Sequence, residues 1–294
     1  MQENNDWYAK TSSVQTMKTW AKRPEAPRDL PEPFVTFFSS DASETFPTDA
    51  VFLPGDKTLR PQDIAFRSRL LGLDQKALTL WEERGRQIEK LQFPLSEIRW
   101  IQRGVVLLSS WLEVSSDTHA ARLPFASVNE ILIDPFLLRL RQAVAPPGEC
   151  DEETWERSRD NLDRLGPLHF KFMSYGRRLL RRGDCVRAVA YQEERRVGWR
   201  KFVTPFLMIL TEKEFLIIRD PEHIRRGRQG LYGGIFSFAP LTQIQSLTWE
   251  SLNGTGGRDK GEFRLGWKAG GQLVWETSGV QKELSALVEA FNSR

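Results

Sequence analysis

Alternating apolar and polar residues recur along two long stretches of the chain, and this pattern predicts strands. In the later stretch Phe263, Leu265 and Trp267 stand at every second position, and Leu273 and Trp275 repeat the spacing. Successive side chains of a strand point to opposite faces, so this spacing indicates strands with one buried face. The Ala-Gly-Gly sequence between the two runs favours a hairpin turn. We therefore expect antiparallel sheets.

A helical spacing of apolar residues closes each stretch. The segment GVQKELSALVEAFNSR at the C-terminus places five apolar residues on one stripe, which predicts an amphipathic helix. They are Val280, Leu284, Leu287, Val288 and Phe291. In the earlier stretch a helix is predicted to begin at Asp134–Pro135, or to begin at Val128 and bend at Pro135. A further helix is predicted in LHFKFMSYGRRLLRR.

Four segments follow from these patterns. Residues 1–50 contain KRPEAPRDLPEPF, with four prolines in a short span, and predict an extended N-terminal arm. The tryptophans of this arm suggest that it packs partly on the body. Residues 51–144 and 165–294 are the two predicted β-rich domains. Residues 145–164 between them begin with Pro-Pro-Gly and are strongly charged, which is typical of a linker or an exposed helix.

Three short segments occur in the same order in both domains, which indicates an internal repeat. LPGDK at 53–57 corresponds to RRGDC at 181–185, and GLDQKALTLW corresponds to LTEKEFLIIR at an offset of 138 positions. FPLSEIRWI corresponds to APLTQIQSL at an offset of 146 positions. The change in offset places about eight extra residues near DPEHIRRGRQGLYGG, where a loop would accommodate them.

About seven short strands followed by one helix resemble the pleckstrin-homology-like (PH-like) fold, and more narrowly the bacterial PH-like domains. The residues that carry this resemblance are Gly183–Asp184, Thr211–Ile217 and Pro240–Ile244, whereas the first copy departs from the pattern at Leu73 and at Gln75–Lys76. The resemblance covers roughly residues 51–144 and 165–294. It implies a mainly β fold with helices, in which two split barrels of about seven antiparallel strands are each capped by a C-terminal helix. Two unrelated β-rich domains or a single mixed domain are the alternatives.

Catalytic motifs are scarce in this sequence. The three histidines, His119, His169 and His223, are isolated, and no pair of them has metal-ligand spacing. The glycine-rich NGTGGRDKG segment has Gly261 after Lys260 where a phosphate-binding loop has Ser or Thr. We therefore expect a protein that is not an enzyme and that needs no cofactor and no metal.

Positive charge is concentrated in one part of the chain. The net charge is only +3, but residues 164–228 contain 16 Lys or Arg against 7 Asp or Glu. The candidate residues for binding an anion or a partner are Arg195, Arg196, Trp199, Arg200, Lys201, Arg225, Arg226 and Arg228. Arginine forms bidentate contacts with phosphate and carboxylate groups. The resemblance places the first five in the loop that holds phosphoinositide headgroups in eukaryotic PH domains. The alternative is a solvated basic face, or arginines paired with the acids of the linker at Asp151–Glu156.

Two functional hypotheses follow. The first is a non-enzymatic protein-interaction or scaffolding module that docks an unknown protein partner, or a second copy of itself, through exposed strand edges or loops. The second is peripheral binding to anionic lipid headgroups or nucleic acid through the basic loops of the second domain.

The compartment is predicted from the cysteines and from the absence of membrane signals. Cys150 and Cys185 are far apart and form no CxxC pair, so we expect free thiols in a reducing cytoplasm, with a single disulfide as the alternative. The sequence contains no run of about 18 apolar residues, and its N-terminus lacks the pattern of a secretory signal. A cytoplasmic protein is predicted, placed at the inner membrane face under the second hypothesis.

Overall fold

The computed structural model describes residues 20–40, 44–56, 59, 63–106, 109–163, 165, 170–197, 201–221, 233–252 and 260–294. The chain forms two compact units. Unit 1 comprises Met1–Ile98 and Val105–Val144, and unit 2 comprises Arg99–Gly104 and Ala145–Arg294. The fold is mainly β with helices, as the sequence predicts; its sheets are antiparallel, and they do not close into a barrel in the described part of the chain.

Unit 1 is built on a four-stranded antiparallel sheet whose strands follow one another in chain order, and its last two strands pair with each other. Its strands are β1 (Asp49–Leu53), β2 (Arg69–Leu73), β3 (Ala77–Arg84), β4 (Gln87–Pro94), β5 (Trp100–Val106), β6 (Ser109–Ser115) and β7 (Ala120–Ala126). Strand β5 is divided, because its residues up to Gly104 belong to unit 2. The helices in the described part of unit 1 are α1 (Glu32–Ser40) and α2 (Glu130–Val144). Helix α2 contains Pro135, so of the two predicted alternatives the longer helix is the one observed.

Part of the predicted extended arm is helical. Helix α1 places Phe34 and Phe38 one turn apart, and both are buried against the first strands of the sheet, where Phe34 packs edge to face on Phe52. A second contact joins Phe38 to Trp81 with ring centroids 5.4 Å apart. The prolines before Phe34 do not prevent the helix, since proline is tolerated in a first turn.

Unit 2 contains nine further strands in the described part of the chain. They are β8 (Val186–Gln192), β9 (Arg195–Val197), β10 (Lys201–Val203), β11 (Phe206–Thr211), β12 (Glu214–Arg219), β13 (Gly234–Pro240), β14 (Ile244–Ser251), β15 (Lys260–Trp267) and β16 (Gln272–Ser278). One sheet runs in the order β13-β12-β11-β8, with Arg99–Gly104 beyond β13, and a second runs β14-β15-β16. The helices are α3 (Glu152–Asp163), α4 (Phe170–Leu179) and α5 (Gln281–Asn292).

The core of unit 2 lies between these two sheets and α5. Leu284, Leu287 and Phe291 of α5 are buried there, which confirms the predicted apolar stripe. Each of these side chains is removed almost completely from water, and full burial of one large apolar side chain stabilises a fold by about 1.5–3 kcal/mol. The predicted hairpin between β15 and β16 is also observed, with Gly270 and Gly271 at positive φ in the turn.

The repeated segments adopt matching local structure in the two units. The β2–β3 turn is capped by Asp74, whose Oδ1 accepts hydrogen bonds from the backbone N–H groups of Lys76 and Ala77 at 2.6 and 2.8 Å. In the β11–β12 turn, Thr211 Oγ1 accepts from the N–H groups of Lys213 and Glu214 at 3.2 and 3.0 Å. Short polar side chains commonly stabilise turns in this way.

The third repeated segment also forms the same contact in both copies. Leu95 N–H donates to the carbonyl of Lys76 at 2.8 Å, and Leu241 N–H donates to the carbonyl of Lys213 at 2.9 Å. A short 3₁₀ helix begins at Leu95 in one unit and at Leu241 in the other. The two copies therefore share local architecture as well as residue order.

Candidate functional site

A cleft of about 620 Å³ lies in unit 2 along strand β8, and we call it the β8 cleft. Its volume is in the range of small-molecule and peptide sites. The residues that line it come from β8 and its C-terminal end, from the start of α5, and from the end of α3. They are Val186, Arg187, Ala188, Val189, Tyr191, Glu193, Gly279, Val280, Glu283, Asn161 and Leu165.

The floor of the cleft is the edge of a sheet. Strand β8 pairs with β11 on one side and stands at the end of its sheet among the strands that the structure describes. All four residues of Val186–Val189 line the cleft. Because successive side chains of a strand point to opposite faces, four consecutive residues line one space only if that space lies beside the edge. The cleft therefore faces the backbone N–H and C=O groups of β8.

Two side-chain hydrogen bonds fix the ends of this edge. At one end, the N–H of Val186 donates to Ser158 Oγ of α3 at 3.2 Å. At the other end, the N–H of Ser278 donates to the side-chain oxygen of Gln192 at 2.7 Å, where β16 approaches α5. Gly279 then turns the chain into α5 at a φ of 71°. The walls of the cleft are thereby tied to both ends of its floor.

A buried charge cluster holds the segment that leads into α3. Arg181 Nε donates to Asp184 Oδ2 at 2.7 Å and lies 3.4 Å from Glu214 Oε2, and all three side chains are buried. Asp184 also accepts a hydrogen bond from the backbone N–H of Gly148 at 3.0 Å. Buried charges are tolerated where they are paired and hydrogen-bonded, as these are.

The cysteines correct the sequence prediction, which favoured free thiols. Cys150 and Cys185 form a disulfide whose Cα atoms are 5.4 Å apart. The backbones of Gly148 and Gly183 pack closely beside it: a Cβ added at either glycine would lie 2.8 Å from the carbonyl oxygen of the other. This glycine contact brings the two cysteines within bonding distance, which their separation of 35 residues does not indicate by itself.

The ionisable groups of the β8 cleft leave a net negative charge. Arg187 lies 3.4 Å from Glu212, so its charge already has a partner. Glu193 and Glu283 are exposed carboxylates that line the cleft, and neither forms an ion pair with another residue of the described ranges. In the described part of the chain, the cleft therefore presents two carboxylates and one guanidinium group that is paired with Glu212.

Tyr191 reports the same negative environment. Burial, together with the smaller effect of the negative charges of Glu193, Asp220 and Glu194, raises the pKa of Tyr191 to about 12. Its ring packs edge to face on Phe172 of α4, with centroids 5.4 Å apart. The phenol is therefore neutral at physiological pH, and Tyr191 contributes no charge to the cleft.

The residues predicted as an anion site are mostly outside the described part of the chain. Trp199, Arg200, Arg225, Arg226 and Arg228 lie there. The backbones of Arg195 and Arg196 in β9 and of Lys201 in β10 are described, and these two strands pair as a hairpin. Nothing in the structure brings this set together or separates it.

Basic residues earlier in the same charged stretch are paired with acids. Arg182 lies 2.9 Å from Glu152 of α3, Arg177 pairs with Asp163, and Lys171 lies 2.5 Å from Asp220. Of these three pairs, Arg182 with Glu152 is the one that joins an arginine to the acids at Asp151–Glu156, as the alternative interpretation has it. Part of the local positive charge is thus used within the fold.

The described residues contain no cluster of metal-ligating side chains. No group of three or more His, Cys, Asp or Glu side chains there is placed to hold a metal ion. His119 packs against Phe93 in unit 1, and His169 and His223 are outside the described ranges. The expectation of a non-enzymatic protein remains a prediction.

Sequence reasoning identified the strand that carries the cleft, CVRAVAYQ, but missed the cleft itself. A strand with small residues such as Ala188 and Ala190 is compatible with either a central or an edge position. A weak signal was present in Arg187, because charged residues are common on edge strands.

No protein-family model matches the sequence, and no curated protein matches it either. None of the helices in the described part of the chain is long and apolar enough to cross a membrane.

Proposed function

We propose that this chain is a non-enzymatic protein-interaction module, and that the β8 cleft binds an extended segment of a partner protein. The observation that carries the proposal is the position of the cleft beside the backbone of an edge strand. An edge strand presents unpaired N–H and C=O groups, and an extended peptide satisfies them by adding a strand to the sheet.

The dimensions of the cleft suit strand addition. Strand β8 has seven residues and so provides an edge of roughly 23 Å, since a strand rises about 3.3 Å per residue. A volume of 620 Å³ accommodates a short extended peptide, and an added strand would lie about 4.8 Å from β8. Main-chain hydrogen bonds would supply the affinity, and the walls from α3 and α5 would select side chains.

A PH-like architecture for each unit remains part of this proposal. Its support is the shared order of elements: the first half has four strands, a short 3₁₀ helix, three strands and a closing helix, and the second half has the same order with the hairpin β9–β10 added after β8. The matching turns at Asp74 and Thr211 add local detail to that order.

The disulfide bears on the compartment. Disulfides persist in oxidising environments and are rare in the cytoplasm. We therefore place the module in an oxidising compartment rather than in the cytoplasm predicted from the sequence, because Cys150 and Cys185 are joined.

A random library of 12-residue peptides, displayed on phage and selected on the intact oxidised protein, tests the proposed function. We expect selected peptides to slow amide hydrogen exchange in Val186–Gln192, because an added strand protects edge amides. Asn161→Trp places a large side chain in the cleft and is expected to weaken binding at least tenfold. Asp160→Trp on the same helix is the matched control, since Asp160 is exposed and does not line the cleft.

Two outcomes would contradict the proposal. One is selected peptides that leave hydrogen exchange in β8 unchanged, and the other is equal affinity for the Asn161→Trp and Asp160→Trp proteins.

The alternative hypothesis makes a separate prediction. The protein should bind oligonucleotides, or vesicles that contain anionic lipid, in a salt-sensitive manner. Its affinity for them should fall when Arg195, Arg196 and Arg200 are changed together to Ala.

A further inference from the structure

We infer that the segment bound in the β8 cleft is basic, with a Lys or Arg side chain directed to Glu193 and Glu283. This inference rests on the proposed function and specifies the chemistry of the partner. It contrasts with the second hypothesis from the sequence, in which basic residues of this chain bind anionic lipid headgroups or nucleic acid.

The charge of the cleft is the first support. Among the described residues that line the cleft, Arg187 is the one basic residue, and its guanidinium group is already 3.4 Å from Glu212. Glu193 and Glu283 carry no ion pair among the described residues. A partner that brought a carboxylate to this end of the cleft would meet two like charges, whereas a cation would meet two opposite ones.

The position of the two carboxylates along the cleft is the second support. Glu193 directly follows the last residue of β8, and Glu283 lies in the first turn of α5, whose start lines the same cleft. Arg187 lies near the opposite end, six residues from Glu193, or roughly 20 Å along an extended strand. The negative charge therefore lies at one end of the edge and would fix the register of an added strand.

The environment of Tyr191 is the third support. Tyr191 lines the cleft two residues before Glu193. Burial is the largest cause of its raised pKa, and the negative charges of Glu193, Asp220 and Glu194 are the next causes. Asp220 is neutralised by Lys171 at 2.5 Å. The remaining negative field beside the floor of the cleft thus comes from Glu193 and its neighbour.

The helix dipole of α5 opposes the negative charge of the two carboxylates, but it is smaller than that charge. The N-terminus of α5 carries about half a positive charge from the helix dipole, and Glu283 in the first turn offsets it. Among the described residues that line this end of the cleft, two full negative charges against half a positive charge leave it anionic.

The peptide selection described above also tests this inference, through composition and through charge-neutral variants. We expect the selected peptides to be enriched in Lys and Arg relative to the library. The Glu193→Gln/Glu283→Gln double variant should bind them about tenfold more weakly at 50 mM salt, since each partly exposed ion pair contributes a few-fold to affinity. At 500 mM salt the difference between the wild-type protein and the double variant should shrink to about twofold. Glu289→Gln, on the same helix but outside the cleft, should bind as the wild-type protein does.

The outcomes separate this inference from the proposed function. Selected peptides could slow hydrogen exchange in β8 and fail to bind the Asn161→Trp protein, yet lack basic residues and bind the double variant as they bind the wild-type protein. That result would overturn the inference and leave the proposed function standing. Peptides that do not protect β8 would overturn both. All variants change exposed side chains, and unchanged thermal unfolding of each would show that altered binding does not reflect unfolding.

Discussion

Removal of the disulfide should destabilise unit 2 by an amount that its loop length determines. The bond between Cys150 and Cys185 closes a loop with a sequence separation of 35 residues. In the chain-entropy account, cross-linking a loop of this length lowers the entropy of the unfolded chain and stabilises the fold by about 4 kcal/mol at 25 °C. The Cys150→Ser/Cys185→Ser double variant should lose this amount, because the rest of the local structure is held by its own hydrogen bonds.

Thermal unfolding measures this loss directly. For a unit of this size, each kcal/mol lowers Tm by roughly 2–4 °C, so the double variant should unfold roughly 8–16 °C below the oxidised wild-type protein. The unfolding of unit 2 should be followed by a probe within it, such as hydrogen exchange of β11 and β12, because the two units need not unfold together.

A reductant provides the matched control. Treatment of the wild-type protein with a phosphine reductant should lower Tm to that of the double variant, and the same treatment should leave the double variant unchanged. A decrease of less than about 3 °C would refute the loop-entropy reasoning. Two thiols that alkylate readily in the folded, unreduced protein would refute the bond itself.

Three further predictions concern buried charges and a tight turn. Arg181→Met leaves two buried carboxylates without their cation and should cost about 3–5 kcal/mol in urea unfolding, whereas Arg187→Met, at an exposed pair, should cost less than about 1 kcal/mol. Burial raises the pKa of Glu82, but three neighbouring arginines outweigh burial and lower that pKa overall. The stability that ionised Glu82 contributes is therefore present above about pH 4.3 and is lost as the pH falls through the pKa of Glu82 in the folded protein. Glu82→Gln should flatten the dependence of stability on pH below pH 5. Gly183→Ala should lower the free energy of unfolding by clearly more than Gly85→Ala. At Gly183 φ is 89° and an added Cβ lies 2.8 Å from a carbonyl oxygen, whereas at Gly85 φ is 66° and no atom lies within 4 Å of an added Cβ. Equal losses of stability in the two variants would contradict the argument from the close contact.

Turns and amphipathic elements could be predicted because their signals are local. The alternation of Phe263 and Leu265 and the stripe on α5 each depend on residues a few positions apart, and both were confirmed. The repeat could also be predicted from the order of short segments along the chain. The structure adds that Asp74 and Thr211 cap equivalent turns in the two copies.

The N-terminal arm shows how one local signal concealed another. The prolines of this arm favour an extended chain, but Phe34 and Phe38 have the spacing of one helical turn. Their burial against Phe52 and Trp81 stabilises helix α1, and this partner surface is provided by strands far along the chain. Tertiary packing therefore outweighed the composition of the segment.

The pairing of the basic residues could not be predicted from the sequence. The sequence gives the positions of all the arginines but not their neighbours, and Arg177 and Arg182 turned out to pair with acids of α3. Which charges remain available depends on which acids the fold brings within about 4 Å. The charge count of a stretch therefore overstated the charge that it offers to a partner.

The sequence by itself determined the alternating strands β15 and β16, the amphipathic helix α5, the repeated order of short segments and the turns within them, because neighbouring residues encode periodicity and turn chemistry. The tertiary structure decided which strand is an edge, which cysteines meet and which carboxylates border the β8 cleft. Strand β8 is an edge because no further described strand pairs with its other side, and the disulfide joins residues 35 positions apart next to the close contact between Gly148 and Gly183. Both are products of long-range packing, which no short window of residues contains.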